Sequence, residues 1–276
     1  MVLVMRRWRL NSGYCGNTDQ RRTRAGTIPT LKHYMERDLG AFNNEEIVSS
    51  GLVLYLDAGN VLSYSGSGSA WTDLSGNSNT ATLTASPTYD SSNSGSLLFN
   101  GSTQWATITN PSTLRNQNFT VSIWFKPATQ SSALKSIIDF DHAIGSGQNW
   151  VMQSEDALTN KYWYFASYDG AAFQPVGNYG AGKGMQFTSS VWQNFVFTKS
   201  GTSFIGYRDG TQTFTATASS ATVSYGASSN MRIAGAVSAA GREFNGNISQ
   251  VLMYNRAITS TEVTQNYNSI KNRYGL

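Results

Sequence analysis

Paired carboxylates are the residues of this chain with the clearest potential for chemistry. A glycosidase needs two of them, one to attack the sugar or activate a water and one to protonate the leaving group. Asp139 and Asp141 are two positions apart in a predicted strand and would share one face of it, whereas Glu155 and Asp156 are adjacent and would point to opposite faces. Both arrangements are poor catalytic centres, so we expect no enzyme activity.

Histidine and cysteine are too scarce to build a metal site or an activated nucleophile. The chain contains two histidines, His33 and His142, and one cysteine, Cys15. A His-based triad or a zinc site needs these residues in clusters, and an intrachain disulfide needs a second cysteine. We therefore expect no metal, no cofactor and no disulfide within the chain.

An oxygen-rich turn occupies residues 71–79, where the sequence reads WTDLSGNSN. The carboxylate of Asp73 can accept backbone N–H hydrogen bonds in an Asx-type turn, which Gly76 or Asn77 would complete with positive φ. The same oxygen atoms could instead contact a ligand. The sequence leaves both roles open, a stiff turn and a binding loop.

The stretch FTVSIWFKP, residues 119–127, is the predicted central strand that must position such loops. Its side chains alternate with period two, so one face is apolar and the other carries Thr120, Ser122, Trp124 and Lys126. The apolar face consists of Phe119, Val121, Ile123 and Phe125. An apolar surface of this size needs an opposing sheet to cover it. The strand should end at Pro127, because proline has no N–H with which to continue the ladder of hydrogen bonds.

Many short strands joined by turns are predicted around this one. Ser, Thr, Asn and Gly dominate the composition and 13% of the residues are charged, which favours a mainly β protein. Asp209 and Gly210 separate two alternating segments and predict a tight hairpin of type I′. Because a sandwich covers both faces of its strands, we predict that five large residues are buried: Trp124, Phe125, Phe195, Phe197 and Val251.

A helix is predicted at the C-terminal end of this domain, over residues 260–274. Thr259 and Glu262 have the spacing of a capping box, which satisfies the first free N–H groups of a helix. The apolar stripe of this helix consists of Val263, Tyr267, Ile270 and Tyr274. The stripe should pack across the sandwich.

The first 48 residues are predicted to form a separate basic arm, and residues 49–276 the main domain. Residues 1–40 carry eight Arg or Lys against three Asp or Glu, whereas the whole chain has a net charge of +4. Such an arm could bind an acidic protein surface or nucleic acid, or it could be solvated. Few aromatic residues accompany the charges, so nucleic acid is the least favoured. We expect docking to a protein partner through Arg6, Arg7, Arg9, Arg21, Arg22 and Arg24.

A short amphipathic helix is predicted within the arm, near residues 30–39. Pro29 suits its start and Gly40 its end. At about ten residues it would be marginal alone in water, so it needs a surface, either its own sandwich or another subunit. The residues that would face that surface are Leu31, Tyr34, Met35 and Leu39.

Neither a cleavable signal peptide nor a membrane-spanning segment is expected. Residues 1–10 contain too short an apolar run for a signal-peptide core before Arg6 and Arg7 interrupt it, and no run approaches the length of a membrane span. We therefore expect a soluble protein without a cleavable signal.

The order of several motifs resembles a known fold family. The motifs are GLVLYLDAGN from residue 51, FTVSIWFKP from residue 119, MRIAG from residue 231 and FNGNISQVLMYNRAITSTEV from residue 244. In this order they resemble the laminin-G-like, concanavalin A-type jelly-roll domains. The Ser/Asn/Gly-rich version with a prolonged final helix is similar to domains in structural proteins of tailed bacteriophages.

The resemblance implies an all-β, two-sheet antiparallel jelly-roll sandwich. Related jelly rolls that hydrolyse glycans carry the pattern E-x-D-x-E on one strand, and its absence here implies a non-enzymatic member. Sugar-binding members use loop Asp and Asn residues with an aromatic ring, and Asp57 with Asn60 is one such oxygen cluster. A Ca²⁺ site would need more carboxylates than these loops supply. The first glycan-binding candidates are Trp71, Asp73, Asn77 and Asn79.

Two functions follow from the resemblance and the arm. The first is a virion structural protein of a tailed bacteriophage, a decoration or adhesion protein made in the host cytoplasm and oligomeric in the particle. Its arm would bind other virion proteins or sister subunits, while the jelly roll could bind cell-surface glycans. The alternative is a soluble carbohydrate-binding lectin module without an assembly role. A lectin has no need of an Arg-rich arm, which favours the first function.

Overall fold

The computed structural model describes residues 46–128, 134–141, 149–154, 162–174, 184–227 and 229–276. The predictions made for residues 1–45, including the six arginines and the short helix, lie outside these residues and stay predictions. The same holds for Glu155, Asp156, both histidines and the cysteine.

Antiparallel strands dominate the part of the chain that the structure describes. The strands are β1 Leu52–Asp57, β2 Ala70–Trp71, β3 Ala81–Thr84, β4 Thr88–Asp90, β5 Ser96–Asn100, β6 Trp105–Ile108, β7 Phe119–Pro127, β8 Ser136–Phe140, β9 Trp150–Ser154, β10 Tyr162–Tyr168, β11 Phe173–Gln174, β12 Met185–Gln186, β13 Gln193–Ser200, β14 Ser203–Arg208, β15 Thr211–Thr217, β16 Met231–Ile233 and β17 Asn245–Tyr254. Short 3₁₀ turns occur at Ser92–Ser94 and Ser112–Leu114.

The strands form two sheets that pack face to face. Sheet A has the order β15-β14-β13-β7-β17-β5-β4, and β1 also pairs with β17. Sheet B has the order β11-β10-β9-β8-β16-β6-β3-β2, and β12 also pairs with β10. The protein is thus an all-β antiparallel jelly-roll sandwich, as the sequence predicted.

Large apolar side chains from both sheets fill the space between them. Phe125 of sheet A packs edge-to-face against Phe195 at 5.0 Å between ring centroids and against Trp163 of sheet B at 6.0 Å. The five residues predicted to be buried are all at most 2% exposed, which confirms the two-sided burial of β7, β13 and β17. Each such side chain contributes on the order of 2 kcal/mol through removal from water.

The predicted hairpin connects β14 to β15. Asp209 has φ 51° and Gly210 has φ 76°, as a type I′ turn requires at its two central positions. A Cβ atom on Gly210 would lie 3.1 Å from the ring of Tyr267. Glycine is therefore favoured there both by the backbone conformation and by the close packing of the C-terminal helix.

One α-helix, α1 (Ser260–Ile270), follows the last strand and continues as a 3₁₀ turn over Lys271–Tyr274. The capping box is present, because Thr259 Oγ1 accepts a hydrogen bond from the N–H of Glu262 and the Glu262 carboxylate accepts one from the N–H of Thr259. The predicted helix ended at residue 274, whereas the structure tightens its last four residues into the 3₁₀ form. This turn carries Arg273 and Tyr274, and both side chains have partners on the sandwich.

Four aromatic rings stack where the C-terminal segment packs on the outer face of sheet A. We call them the aromatic column; in order they are Tyr267, Trp124, Tyr274 and Trp192. Trp124 is 5.5 Å from Tyr267 and 4.4 Å from Tyr274, and Trp192 is 4.6 Å from Tyr274. Lys271 lies 5.4 Å from the Tyr267 ring at one end, and Lys126 lies 5.4 Å from the Trp192 ring at the other.

Residues 46–48 are hydrogen-bonded to the C-terminal part of the chain. The N–H of Val48 donates to Asn266 Oδ1 at 2.9 Å, and the hydroxyl of Tyr254 donates to the carbonyl of Val48 at 2.9 Å. Gln265 also donates to the carbonyl of Glu46 at 2.8 Å. We call this group the terminal clamp, and it joins residues 46–48 to helix α1 and to β17.

Candidate functional site

The predicted turn at residues 71–79 is built around the carboxylate of Asp73. Its oxygen atoms accept hydrogen bonds from the N–H groups of Tyr55, Ser75 and Asn79, each at 2.9 Å. Ser75 Oγ donates to the same carboxylate at 2.9 Å. Both oxygen atoms of Asp73 are thus engaged within the protein, which favours the stiff-turn role that the sequence left open.

The other three glycan-binding candidates do not form one surface with Asp73. Trp71 is 0% exposed in the core between the sheets, so no face of its indole is available to a sugar. Asn79 is buried and donates to the carbonyl of Val53 at 2.8 Å. Asn77 is exposed, and its amide donates to Ser75 Oγ at 3.1 Å. Of the four candidates, Asn77 alone offers its side chain to solvent.

The alternative oxygen cluster is also divided. Arg273 reaches Asp57 with both of its terminal nitrogens, at 2.9 Å to Oδ2 and 3.1 Å to Oδ1. Asn60 instead uses its side-chain oxygen to accept a hydrogen bond from the N–H of Leu62. A Cβ on Gly59 would lie 1.9 Å from the Arg273 guanidinium, so glycine makes room for this ion pair. Asp57 therefore anchors the C-terminal segment.

The predicted sharing of a strand face by Asp139 and Asp141 is wrong. Strand β8 ends at Phe140, and Asp141 has φ 45°, so the chain leaves the sheet between the two carboxylates. Asp141 accepts a hydrogen bond from Ser238 Oγ at 3.1 Å, whereas Asp139 is 1% exposed and pairs in register with Arg232 of β16. The two carboxylates do not face one cleft.

The outer face of sheet B carries a different group of polar and aromatic residues. In β6, Ala106 and Ile108 point into the core, which turns Trp105 outward. In β16, Met231 and Ile233 point inward, which turns Arg232 outward. Because β6 and β16 are neighbours in the sheet, the two outward side chains meet.

We call Trp105, Arg232, Gly235 and Glu243 the Trp105 cluster. The Arg232 guanidinium stacks over the indole of Trp105 at 4.4 Å, and its Nη1 donates to the carbonyl of Ala236 at 2.6 Å. A Cβ on Gly235 would be 3.3 Å from Cβ of Trp105 and 3.8 Å from Cγ of Glu243. Glycine at 235 thus leaves room for the side chains of Trp105 and Glu243, which both lie beside it.

Two groups of opposite charge in this cluster keep unused hydrogen-bonding capacity. Among the described residues, none donates a hydrogen bond to the Glu243 carboxylate, although the residue is 7% exposed, and Nε of Arg232 is buried without an acceptor. Charged groups at low exposure are normally paired, because burial without a partner costs free energy. A carboxylate acceptor, guanidinium donors and a partly exposed indole are together suited to the hydroxyl groups and apolar face of a sugar ring.

Sequence reasoning missed this cluster, although part of its signal was present. Arg232 is a single charge between two apolar residues of a short strand, and Trp105 alternates with core residues on the polar side of β6. Both features mark outward side chains. Glu243 had no such signal, because it is placed by an isolated bridge to Ser136 rather than by a regular strand.

Within the described ranges, no group of three or more His, Cys, Asp or Glu is placed to hold a metal ion. No helix in those ranges is long and apolar enough to cross a membrane.

The family of the chain is shown by a sequence comparison. A laminin-G-type family model, described as the concanavalin A-like lectin/glucanases superfamily, matches residues 99–264, which is more than half of the chain. The protein belongs to this superfamily. No curated protein sequence matches it.

Solved structures share the fold at low sequence identity. Domain 4 of AbnA, an extracellular arabinanase from Geobacillus stearothermophilus in complex with arabinotriose, has a TM-score of 0.58 and 17% identity, covering 79% of this chain and 98% of that domain. The Trypanosoma rangeli sialidase has a TM-score of 0.57 and 20% identity, covering 81% of this chain and 33% of the sialidase. The botulinum neurotoxin DC binding domain, in complex with SialylT, has a TM-score of 0.58 and 12% identity, covering 80% and 52% of the two chains.

Proposed function

We propose that this protein is a non-catalytic carbohydrate-binding protein that uses the Trp105 cluster to hold a glycan. The observation that carries the proposal is a pair of opposite charges with unused hydrogen-bonding capacity, the Glu243 carboxylate and Nε of Arg232, beside a partly exposed indole. In water-exposed sugar sites, carboxylates accept hydroxyl hydrogen bonds and arginine donates them, while an aromatic ring covers the apolar face of the ring.

Similar structures support the same class of ligand. The arabinanase domain was solved with arabinotriose, the sialidase with sialic acid derivatives and the neurotoxin domain with SialylT. At 12–20% identity these likenesses extend to the fold alone. The identity of the glycan must therefore come from binding measurements on this protein.

Calorimetry of the full chain against a panel of oligosaccharides tests the proposal. We expect Trp105→Ala and Glu243→Gln each to weaken the best ligand by at least roughly tenfold, the effect of losing one charge-assisted hydrogen bond or one stacking surface. Asn77→Ala is the matched control, because it removes the exposed member of the predicted turn. If Asn77→Ala abolished binding and Trp105→Ala did not, the binding loop would be residues 71–79 instead.

Hydrolysis is not part of the proposed function. Glycosidases place two carboxylates within about 10 Å of each other, one on each side of the scissile bond, and Glu243 is the one carboxylate among the four residues of the Trp105 cluster. Incubation with β-glucans, galactans and agar-type glycans should leave the chains uncut when the products are sized by chromatography. Cleavage that vanished in Asp139→Asn or Glu243→Gln would overturn this part of the proposal.

We further propose that residues 1–48 attach the domain to a larger assembly, as expected for a virion structural protein of a tailed bacteriophage. The segregation of charge supports this role, because residues 1–40 hold eight of the twenty Arg and Lys and three of the sixteen Asp and Glu. Arginine's planar fork suits carboxylates on a partner surface, either another virion protein or a sister subunit. The motif resemblance to phage structural proteins supports the same role.

Deletion of residues 1–40 tests the assembly role. The truncated protein should fold, bind its glycan and fail to join the particle, while replacement of the six arginines by Gln should weaken attachment in a salt-dependent way. If the truncated protein still assembled at full occupancy, the soluble lectin without an assembly role would be the better description.

A further inference from the structure

A second cleft lies on the opposite side of the sandwich from the Trp105 cluster, on the outer face of sheet A. Its volume is ≈ 290 Å³, near the lower end of small-molecule pockets. Three strands of sheet A supply most of its lining. The lining residues are Leu98, Lys126, Pro127, Ala128, Ser190, Gly246 and Asn247.

The charge in this cleft is the ammonium group of Lys126. None of the described residues accepts a hydrogen bond from it or forms an ion pair with it, and it lies over the ring of Trp192, 5.4 Å from the centroid. The ring fixes the position of the ammonium while leaving its three N–H donors unused. A cation held in this way is ready for an anionic partner.

Neighbouring groups complete a site with both polar and apolar walls. The amide nitrogen of Asn247 donates to Asp90 at 3.2 Å and to Ser96 Oγ at 3.0 Å, which leaves its side-chain oxygen free to accept. Leu98 is 39% exposed, an unusual position for a leucine, and supplies an apolar wall.

Asp90 is an acidic group near this cleft, and no ion pair joins its carboxylate to the Lys126 ammonium. Its carboxylate accepts hydrogen bonds from the N–H of Ser92 at 2.9 Å and from Asn247. The hydrogen bonds from Ser92, with the charge of Lys126 and the amide of Asn247, lower the pKa of Asp90. The carboxylate thus stays ionised and fixed, and it orients Asn247 toward the cleft.

We propose that this cleft binds an acidic sugar, with the sugar carboxylate on Lys126, its hydroxyl groups on Asn247 and its apolar face on Leu98. The proposal rests on the proposed function for the class of ligand and adds a second, anion-selective site to the domain. A protein with sugar sites on both outer faces can bridge two glycan chains, so that binding gains from multivalency.

Indole signals in the NMR spectrum of the full-length protein can separate the two sites. The Trp192 indole lies beneath Lys126 and reports on the cleft, whereas the Trp105 indole reports on the Trp105 cluster. The probes are methyl β-glucuronide and methyl β-glucoside, which differ in one carboxylate. We expect the glucuronide, and not the glucoside, to shift the Trp192 signal in a saturable way that added salt weakens.

Lys126→Gln is the test variant and Lys271→Gln its matched control. Both lysines lie 5.4 Å from a ring of the aromatic column, at its opposite ends, and Lys126 is the one that lines the cleft. Lys126→Gln should weaken glucuronide binding at Trp192 by roughly tenfold, and Lys271→Gln should leave it unchanged.

The proposal is overturned if the glucuronide does not shift the Trp192 indole signal, or if the glucoside shifts it equally well. It is also overturned if the Lys126→Gln variant binds the glucuronide as tightly as the natural protein does. A shift of the Trp105 signal without a shift of the Trp192 signal would support the proposed function and contradict the second site. A shift of the Trp192 signal, with no sugar in the panel shifting the Trp105 signal, would support the second site and contradict the proposed role of the Trp105 cluster.

Discussion

The outer faces of the two sheets use the same kinds of residue for different purposes. On sheet A, aromatic rings of the sandwich stack with rings of the C-terminal segment, and Trp124 is 1% exposed. On sheet B, Trp105 is partly exposed, no described residue donates to the carboxylate of its neighbour Glu243, and Nε of Arg232 has no acceptor. The aromatic column on the first face is satisfied by the chain's own C-terminal segment, whereas the Trp105 cluster on the second is left incomplete.

This difference shows how stability and binding can be separated in one sandwich. Aromatic side chains that contact each other within the fold contribute to folding free energy, and those beside unpaired charges are available to a ligand. Substitutions in the aromatic column should therefore change the free energy of unfolding. Substitutions in the Trp105 cluster should change binding with little effect on the free energy of unfolding.

The largest expected effect is that of Trp124→Ala. Removing the central ring of the aromatic column should lower the free energy of unfolding by about 4 kcal/mol, since the ring is buried and stacks on Tyr267 and Tyr274. Trp105→Ala should cost less than about 1 kcal/mol. Urea unfolding of both variants measures the contrast, and equal losses would contradict it.

The next effect is on the ion pair that holds the end of the chain to sheet A. Asp57→Asn would leave the Arg273 guanidinium without its carboxylate, at side-chain exposures of 17% for Arg273 and 5% for Asp57. We expect a loss of about 3 kcal/mol in thermal or urea unfolding. Asp141→Asn, at a carboxylate outside the sheets, is the control and should be within about 0.5 kcal/mol of the natural protein.

A third test concerns Lys199, a buried lysine near the end of β13. Its ammonium donates to the carbonyls of Gln117, Gly201 and Ala221, and burial lowers its pKa to about 8. Since the unfolded chain then holds a proton that the folded chain has lost, Lys199 should contribute a rise of about 2 kcal/mol in the free energy of unfolding between pH 8 and 10, measured as the difference between the natural protein and Lys199→Met.

Two observations check this third prediction. Lys199→Met should unfold without the rise between pH 8 and 10. Above pH 10 the trend should reverse, because burial raises the pKa values of Tyr55 and Tyr274 to about 12, so the unfolded chain loses protons that the folded chain keeps. A natural protein whose stability falls steadily from pH 8 would show that Lys199 keeps its proton.

The smallest expected effect is at the start of helix α1. Thr259→Ala removes the side-chain oxygen that caps the N–H of Glu262 and should cost about 1 kcal/mol in urea unfolding. Thr264→Ala, at an exposed position within the same helix, should be neutral or slightly stabilising because alanine has the higher helix propensity. Losses of the same size would show that the cap has no special role.

The fold was predictable where local patterns decide the structure. Alternation identified both faces of β7, the Asp209-Gly210 pair identified the hairpin, and Thr259 with Glu262 identified the helix start. Each of these signals lies within a few residues along the chain. They sufficed for a sandwich with a C-terminal helix.

The candidate site was less predictable, because contacts distant in sequence create it. Trp71 looked available in a polar turn, yet β2 has two residues, too few for an alternating pattern to show that the indole faces the core. The Trp105 cluster joins residues 105, 232 and 243, which three separate elements bring together. No spacing in the sequence records that approach.

The terminal clamp has a consequence for how the domain would bear a load. If residues 1–45 tether the protein, tension enters at Glu46 and passes through Val48 to Asn266 and Tyr254. Strand β1 lies beyond the clamp, and its pairing with β17 begins with Leu52 opposite Tyr254. The hydrogen bonds of Val48 would thus take the pull before the β1–β17 ladder does. The clamp would act as a mechanical stop that protects the sandwich from being unzipped at its first strand.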